Sequence, residues 1–162
     1  MIEEVKRNYL EINSLNDLKE TSQSFDEFSI VLLDPVDFQL NKFFYKNVGK
    51  KHRWVDRLIW SEQQWIDYVS NSKVKTYVLK RKDDLIGFFE LIFHIENKEV
   101  EIAYFGILEE YQNKKLGSFL LSEAIKKSFL KNTKRVWVHT CSLDHKNALS
   151  NYISRGMKIF KT

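Results

Sequence analysis

The chain has 162 residues, 43% of them hydrophobic and 14% aromatic, with a single proline. That length buries roughly 70% of the unfolded surface without a metal or disulfide staple, and the composition is too apolar for intrinsic disorder. The net charge of +4 comes from 26 basic and 22 acidic residues in scattered groups, which argues against a nucleic-acid footprint but suits a small polyanionic ligand.

One domain over residues 1–162 is the expectation for this length. Cys141 is the only cysteine, so no internal disulfide forms and a cytoplasmic setting is expected. The segment Met1 to Arg7 is charged and has no leader-like apolar run. No stretch approaches the ~18 apolar residues of a membrane span.

In chain order, residues 5–12 read as a strand and 13–26 as a turn with a short helix. Phe28 to Leu33 is a short apolar run that reads as a strand or a buried loop. Pro35 after Asp34 predicts a helix start. Phe38, Leu40, Phe43, Phe44 and Val48 fall at helical spacing and are closed by Gly49. Residues 52–60 carry Trp54, Val55, Leu58, Ile59 and Trp60. Ser61 then caps a helix through Tyr68 and Val69. From Val74 the pattern changes to β: 74–80, Leu85 to His94 and Val100 to Ile107 read as a three-stranded antiparallel meander. A helix over 116–130, a strand Arg135 to Cys141, a helix over about 145–154 ending at Gly156, and a short strand Met157 to Phe160 complete the chain. The passage from 100 to 141 is a strand–helix–strand crossover between parallel neighbours. The fold class is α+β, with a mixed sheet.

Residues 107–118, Ile-Leu-Glu-Glu-Tyr-Gln-Asn-Lys-Lys-Leu-Gly-Ser, join an apolar strand to an apolar-periodic helix. A helix N-terminus leaves backbone N–H groups unpaired and carries partial positive charge. Strand, polar turn and helix start together form a site suited to phosphate.

This segment resembles the pyrophosphate-binding motif of the GNAT (GCN5-related N-acetyltransferase) superfamily. Ile107, Glu110, Tyr111, Gln112 and Gly117 fit the pattern, while Glu109 replaces a proline and Asn113 and Lys115 stand where glycines are common. A second block, downstream, keeps the family's spacing at Ala148, Tyr152 and Gly156, with His145 at an asparagine position and Met157 at a phenylalanine position. Trp54-Val55-Asp56-Arg57 after an aromatic helix is similar to a bacterial subgroup. The resemblance implies the GNAT fold, a mostly antiparallel central sheet flanked by helices. It also implies an acetyl-CoA-dependent N-acetyltransferase acting by direct transfer on a primary amine.

By the same resemblance, the main chain at Ile107 and Leu108 pairs with the pantetheine arm. Main-chain N–H groups of Gln112, Asn113, Lys114, Lys115, Leu116, Gly117 and Ser118 cradle the pyrophosphate, and His145 lies at the pantetheine. Asparagine tolerates a positive φ at 113, whereas Lys115 fits only if its position is already helical. Tyr152 matches the tyrosine aimed at the cofactor sulfur, and a phenol stays protonated at neutral pH.

The base for the amine is open between Glu101 and Glu90, two carboxylates on central strands, with His139 a third option. Each carboxylate reads equally well as a salt-bridge partner. Alternation places Glu101, Ala103 and Phe105 on one face. Trp54, Arg57 and His139 are candidate acceptor contacts. His139, Cys141, Asp144 and His145 lack the spacing of zinc motifs, so no metal is expected, and Asp144 reads as a helix cap.

The acceptor is a small molecule or peptide amine, with no nucleic acid or membrane involved. Many family members continue with another strand after the position of Thr162, so the open edge would be covered by a second subunit of a homodimer. The alternative reading is a non-catalytic module of the same fold that binds coenzyme A or a protein partner.

Overall fold

A computed structural model describes residues 6–21, 25–52, 54–112, 115–130, 132–141, 144 and 147–162. Among these residues seven strands form one sheet: β1 (Arg7–Ile12), β2 (Ser29–Leu32), β3 (Val74–Arg81), β4 (Asp84–His94), β5 (Glu99–Ile107), β6 (Arg135–Cys141) and β7 (Lys158–Lys161), in the order β2-β3-β4-β5-β6-β1-β7. Every neighbouring pair is antiparallel except β5–β6. Helices α1 (Phe38–Gly49), α2 (Glu62–Ser70), α3 (Leu116–Ser128) and α4 (Ala148–Ser154) flank this sheet. The architecture is the mixed, mostly antiparallel α+β sheet expected from the sequence.

The long apolar run of β4 is explained by burial on both faces. Phe89 and Leu91 join Leu120, Leu121 and Ile125 of α3 in the larger core. Phe88 faces the other way and stacks on Phe44 of α1 with ring centroids 5.0 Å apart. Along α3, Leu116, Leu120, Leu121, Ala124 and Ile125 are buried, the one-sided stripe that an amphipathic helix presents to a sheet.

Caps set two helix starts. Ser61 and Gln64 form a reciprocal capping box at α2. α1 begins at Phe38 and not at Pro35, because Asp37 stays extended and its carboxylate accepts the Gln39 N–H at 3.1 Å. Gly156 follows α4 with φ +105°, and a Cβ there would lie 2.2 Å from the Asp17 carbonyl oxygen. Glycine is therefore required where the chain turns into β7.

Two departures from regular pairing shape the centre of the sheet. In the β4–β5 ladder Leu91 faces Ile102 but Glu90 faces Tyr104, so Ala103 is an extra residue in β5. The bulge overturns the simple alternation expected there. Phe105 joins Ile102 on the α3 side, and Tyr104 packs on the α1 side. The second departure lies between β5 and β6. Their parallel pairing covers only Glu99↔Arg135, Val100↔Val136 and Glu101↔Trp137, while β5 runs on to Ile107 beside β4 and β6 runs on to Cys141 beside β1. The two strands part, and the sheet opens.

Candidate active site

The opening between β5 and β6 is a cavity of about 780 Å³ that passes through the sheet. On the α3 side its wall includes Lys115, Leu116, Gly117 and Ser118 from the start of α3, and Asn151, Tyr152 and Arg155 from the α4 region. On the α1 side it includes Val48, His52, Trp54, Val55, Asp56 and Tyr104. Ile102 to Ile107 of β5 and Val138, His139 and Cys141 of β6 line the passage. Backbone groups of β5 beyond Glu101 have no β6 partner, so this inner edge accepts an extended ligand as an added strand.

The start of α3 is built for an anion. Its N-cap position is Lys115, whose side chain makes no cap bond, so among the described residues the first-turn N–H groups are open to a ligand. Lys115 has φ 60° and ψ 13°. It is not helical, as its side chain type would prefer, but left-handed, the conformation natural to the glycine it replaces. Gly117 shows the converse. A Cβ at that position would meet only Asn151 Nδ2, at an ordinary 3.8 Å, so the protein itself does not demand glycine there, and a side chain would encroach on the cavity that Gly117 lines. Asn151 bridges the two helices: its Nδ2 donates to Gly117 O and its Oδ1 accepts from Ser118 Oγ, both at 3.2 Å. Of the other expected cofactor residues, Ile107 and Gln112 also line the cavity. Leu108 is turned into the α1-side core with Phe44 and Val48, and its N–H pairs with Ile86 O at 2.8 Å. Asn113, Lys114 and His145 lie outside the described residues.

Tyr152 is buried against the sheet, with its ring 6.3 Å from that of Phe105. Its hydroxyl has no hydrogen-bond partner among the described residues although it lines the cavity. Burial, and secondarily the Asp144 charge, push the phenol pKa up, so the hydroxyl remains a proton donor across the neutral range. Asp144 does not cap α4, which starts after Asn147. It accepts from Thr140 Oγ1 and, at 3.0 Å, from the Cys141 N–H, pinning the end of β6.

His139 projects from β6 beside Tyr9. Burial, then the Arg7 charge, lower its pKa below the ordinary histidine value, against smaller opposing effects of Glu101 and Asp144. The imidazole is neutral at pH 7 and able to take a proton. Glu101 does not line the cavity; its Oε1 is paired with His94 Nε2 at 3.1 Å, and it reaches His139 through its charge.

Glu90 and Arg57 form a separate cluster on the α1 side. Glu90 is fully buried. It accepts from Arg57 Nη1 at 2.9 Å, Tyr68 Oη at 2.7 Å and Asn41 Nδ2 at 2.9 Å. The Arg57 guanidinium lies 4.2 Å from the ring centres of both Tyr68 and Tyr104 and 4.8 Å from that of Trp60. Burial works most strongly against its charge, but Glu90 and the Tyr68 and Tyr104 phenols together outweigh it and its pKa is raised. Neither residue lines the cavity. Arg57 instead fixes the neighbouring Trp54–Asp56 segment, its N–H donating to Tyr45 Oη at 3.0 Å.

Of the expected acceptor contacts, therefore, Trp54 and His139 reach the cavity and Arg57 does not. Asp56, Tyr104, Asn151 and Arg155 are wall residues that the sequence reading missed. Asp56, in a turn, and Asn151, on α4, each adjoin a residue that was singled out, and nothing in their spacing assigns them to a pocket.

An uncapped helix start, an opened parallel strand pair and a tyrosine between them line one cavity. The acetyltransferase (GNAT) family model matches residues 38–157, and the chain belongs to this family. Among curated proteins no sequence matches. Among solved structures, a GCN5-related N-acetyltransferase from Sphaerobacter thermophilus superposes with a TM-score of 0.70 at 10% identity, covering 95% of this chain and 48% of that one. The chain thus spans about half the length of that protein. An aminoglycoside acetyltransferase, meta-AAC0020, from an uncultured soil metagenomic sample has a TM-score of 0.65 at 13% identity, covering 80% of this chain and 88% of that one. The ribosomal-protein-S18-alanine N-acetyltransferase from Escherichia coli has a TM-score of 0.61 at 16% identity, covering 80% and 76%. At these identities the likeness is one of fold. No helix among the described residues is long and apolar enough to cross a membrane.

Proposed function

We propose that the chain transfers an acetyl group from acetyl-CoA directly to a primary amine. One observation carries this reading: a single cavity joins the uncapped start of α3, the unpartnered Tyr152 hydroxyl and the neutral His139 imidazole. The donor set fits a thioester carrying a diphosphate. N–H groups of Leu116, Gly117 and Ser118 would hold the phosphates, with Lys115 adding charge, and the open edge of β5 would pair with the amides of the pantetheine arm.

His139 is the proposed base and Glu101 a charge that supports it. The acceptor ammonium gives one proton to His139, which passes it to solvent. Attack of the free amine on the thioester carbonyl forms the C–N bond and breaks the C–S bond. Tyr152 donates a proton to the departing sulfur and is restored through solvent by the second proton, released from the product nitrogen. Glu90, whose two oxygens are already held by three donors, is proposed as a structural partner of Arg57 and not as the base.

Thermal unfolding with and without acetyl-CoA tests the reading, since a ligand of the native state raises apparent stability. A clear upward shift with acetyl-CoA is expected, and its absence would rule out the proposal.

A further inference from the structure

The acceptor side of the cavity is formed by Val48, His52, Trp54, Val55, Asp56 and Tyr104. The rings of Trp54 and Tyr104 meet edge to face at 4.8 Å, making an aromatic corner. Asp56 is exposed and has no hydrogen-bond partner among the described residues, and its charge reaches the Tyr104 phenol. On the same turn Val55, Leu58 and Ile59 are 56%, 52% and 89% exposed, so the rim beside Asp56 is apolar. The turn is rigid at its centre, because Arg57 is clamped inward by Glu90 and its aromatic neighbours.

Charge narrows the ligand further. The described residues give the cavity Arg7, Lys115 and Arg155 as fixed cations, against Asp56 and Asp144. Asp144 is occupied by Thr140 and the Cys141 N–H, which leaves one uncommitted carboxylate. A polyamine or aminosugar would bring several ammonium groups to one anion in a cavity also lined by Arg7, a like-charge arrangement that costs affinity.

We propose that the acceptor is a monoamine on an apolar body of aromatic size, its ammonium drawn in by Asp56 before it gives its proton to His139, and its body packed against Trp54, Tyr104 and Val55. This rests on the acetyl-transfer reading above and adds the class of acceptor to it. Cation–aromatic attraction at the Trp54–Tyr104 corner supplements the carboxylate.

The test measures thiol release from acetyl-CoA with phenethylamine, spermidine and kanamycin as acceptors, with acetyl-CoA binding read separately by thermal shift. Phenethylamine is expected to have a kcat/KM about tenfold or more above the other two. Asp56→Asn, an exposed and isosteric change, is expected to raise the phenethylamine KM about tenfold, the loss of one charge-assisted contact, and to leave the acetyl-CoA KM unchanged. Preference for spermidine or kanamycin, or an amine KM that Asp56→Asn does not move, overturns the acceptor class. An acetyl-CoA shift with no turnover of any of the three also overturns it, while the transfer reading stands. No shift with acetyl-CoA overturns both.

Discussion

Two polar clusters flank this sheet, one around Glu90 on its α1 side and one around Tyr152 on its α3 side. Around Glu90 the carboxylate receives three donors, and the Arg57 guanidinium that neutralises it is enclosed by aromatic rings. Only Asn41 Oδ1 in that cluster lacks a partner. Around Tyr152 the situation is reversed among the described residues: the phenol lines the cavity with its hydroxyl unpartnered, Lys115 does not cap the start of α3, and β5 beyond Glu101 has no β6 neighbour. Buried polar groups cost free energy unless they are paired. A cluster that satisfies itself is therefore part of the scaffold, whereas one that leaves its donors open is completed by a ligand.

Disrupting the closed cluster should give the largest effect on stability. Glu90→Gln removes the anion and leaves a buried guanidinium, which is expected to cost about 3–5 kcal/mol of unfolding free energy, measured by urea denaturation. A loss under about 1 kcal/mol would mean that the cluster is not the anchor described. The open site should respond in the opposite way. Tyr152→Phe removes a hydroxyl with no internal partner, so stability should change by less than about 1 kcal/mol, while turnover falls about 100-fold and the acetyl-CoA thermal shift persists. Unaltered turnover would remove Tyr152 from the chemistry.

His139 distinguishes the two regions by pH. Its folded-state pKa is lowered, so the base form prevails at pH 7 and is lost below the ordinary histidine value of about 6.5. Activity should therefore fall on an acid limb with a midpoint under about 6.5. His139→Gln should lower kcat/KM about tenfold at pH 7 and flatten that limb. By linkage, the unfolded chain takes up this proton at higher pH than the native one. The associated stability is thus present above about pH 6.5 and declines as pH falls through the unfolded value towards the folded one. An unchanged limb in His139→Gln would return the role of base to Glu101.

Much of the fold was legible because the sequence carries it locally. β4 is a continuous apolar run, α3 has a clean stripe, and Ser61 announces a helix start. Pro35 misled because the cap two residues later, Asp37, governs where α1 begins. The spaced residues Gly117 and Tyr152 both fall on the cavity wall, whereas Gly156 serves the turn into β7. The site was not legible where one extra residue re-aims a strand. The bulge at Ala103 turns Tyr104 towards α1 and Phe105 towards Tyr152, and no periodicity announces it. Glu90 and Arg57 lie 33 positions apart, so their union is a tertiary fact that made each look like a free functional charge.

Lys115 gives the smallest expected effect and separates two reasons for its presence. In the left-handed region a lysine is strained by roughly 1 kcal/mol relative to glycine, so Lys115→Gly should raise stability by about that amount. If the lysine were only a solvated residue at the head of α3, the acetyl-CoA KM would not move. If its charge helps hold the phosphates, KM should rise by about threefold, the worth of an exposed ion pair, and the difference between wild type and variant should shrink as salt is added. The second outcome is expected, because the strain is local and the charge faces the cavity where the uncapped N–H groups converge. A stabilised variant with a weaker grip on the cofactor would show that the open site, unlike the closed cluster, trades stability for binding.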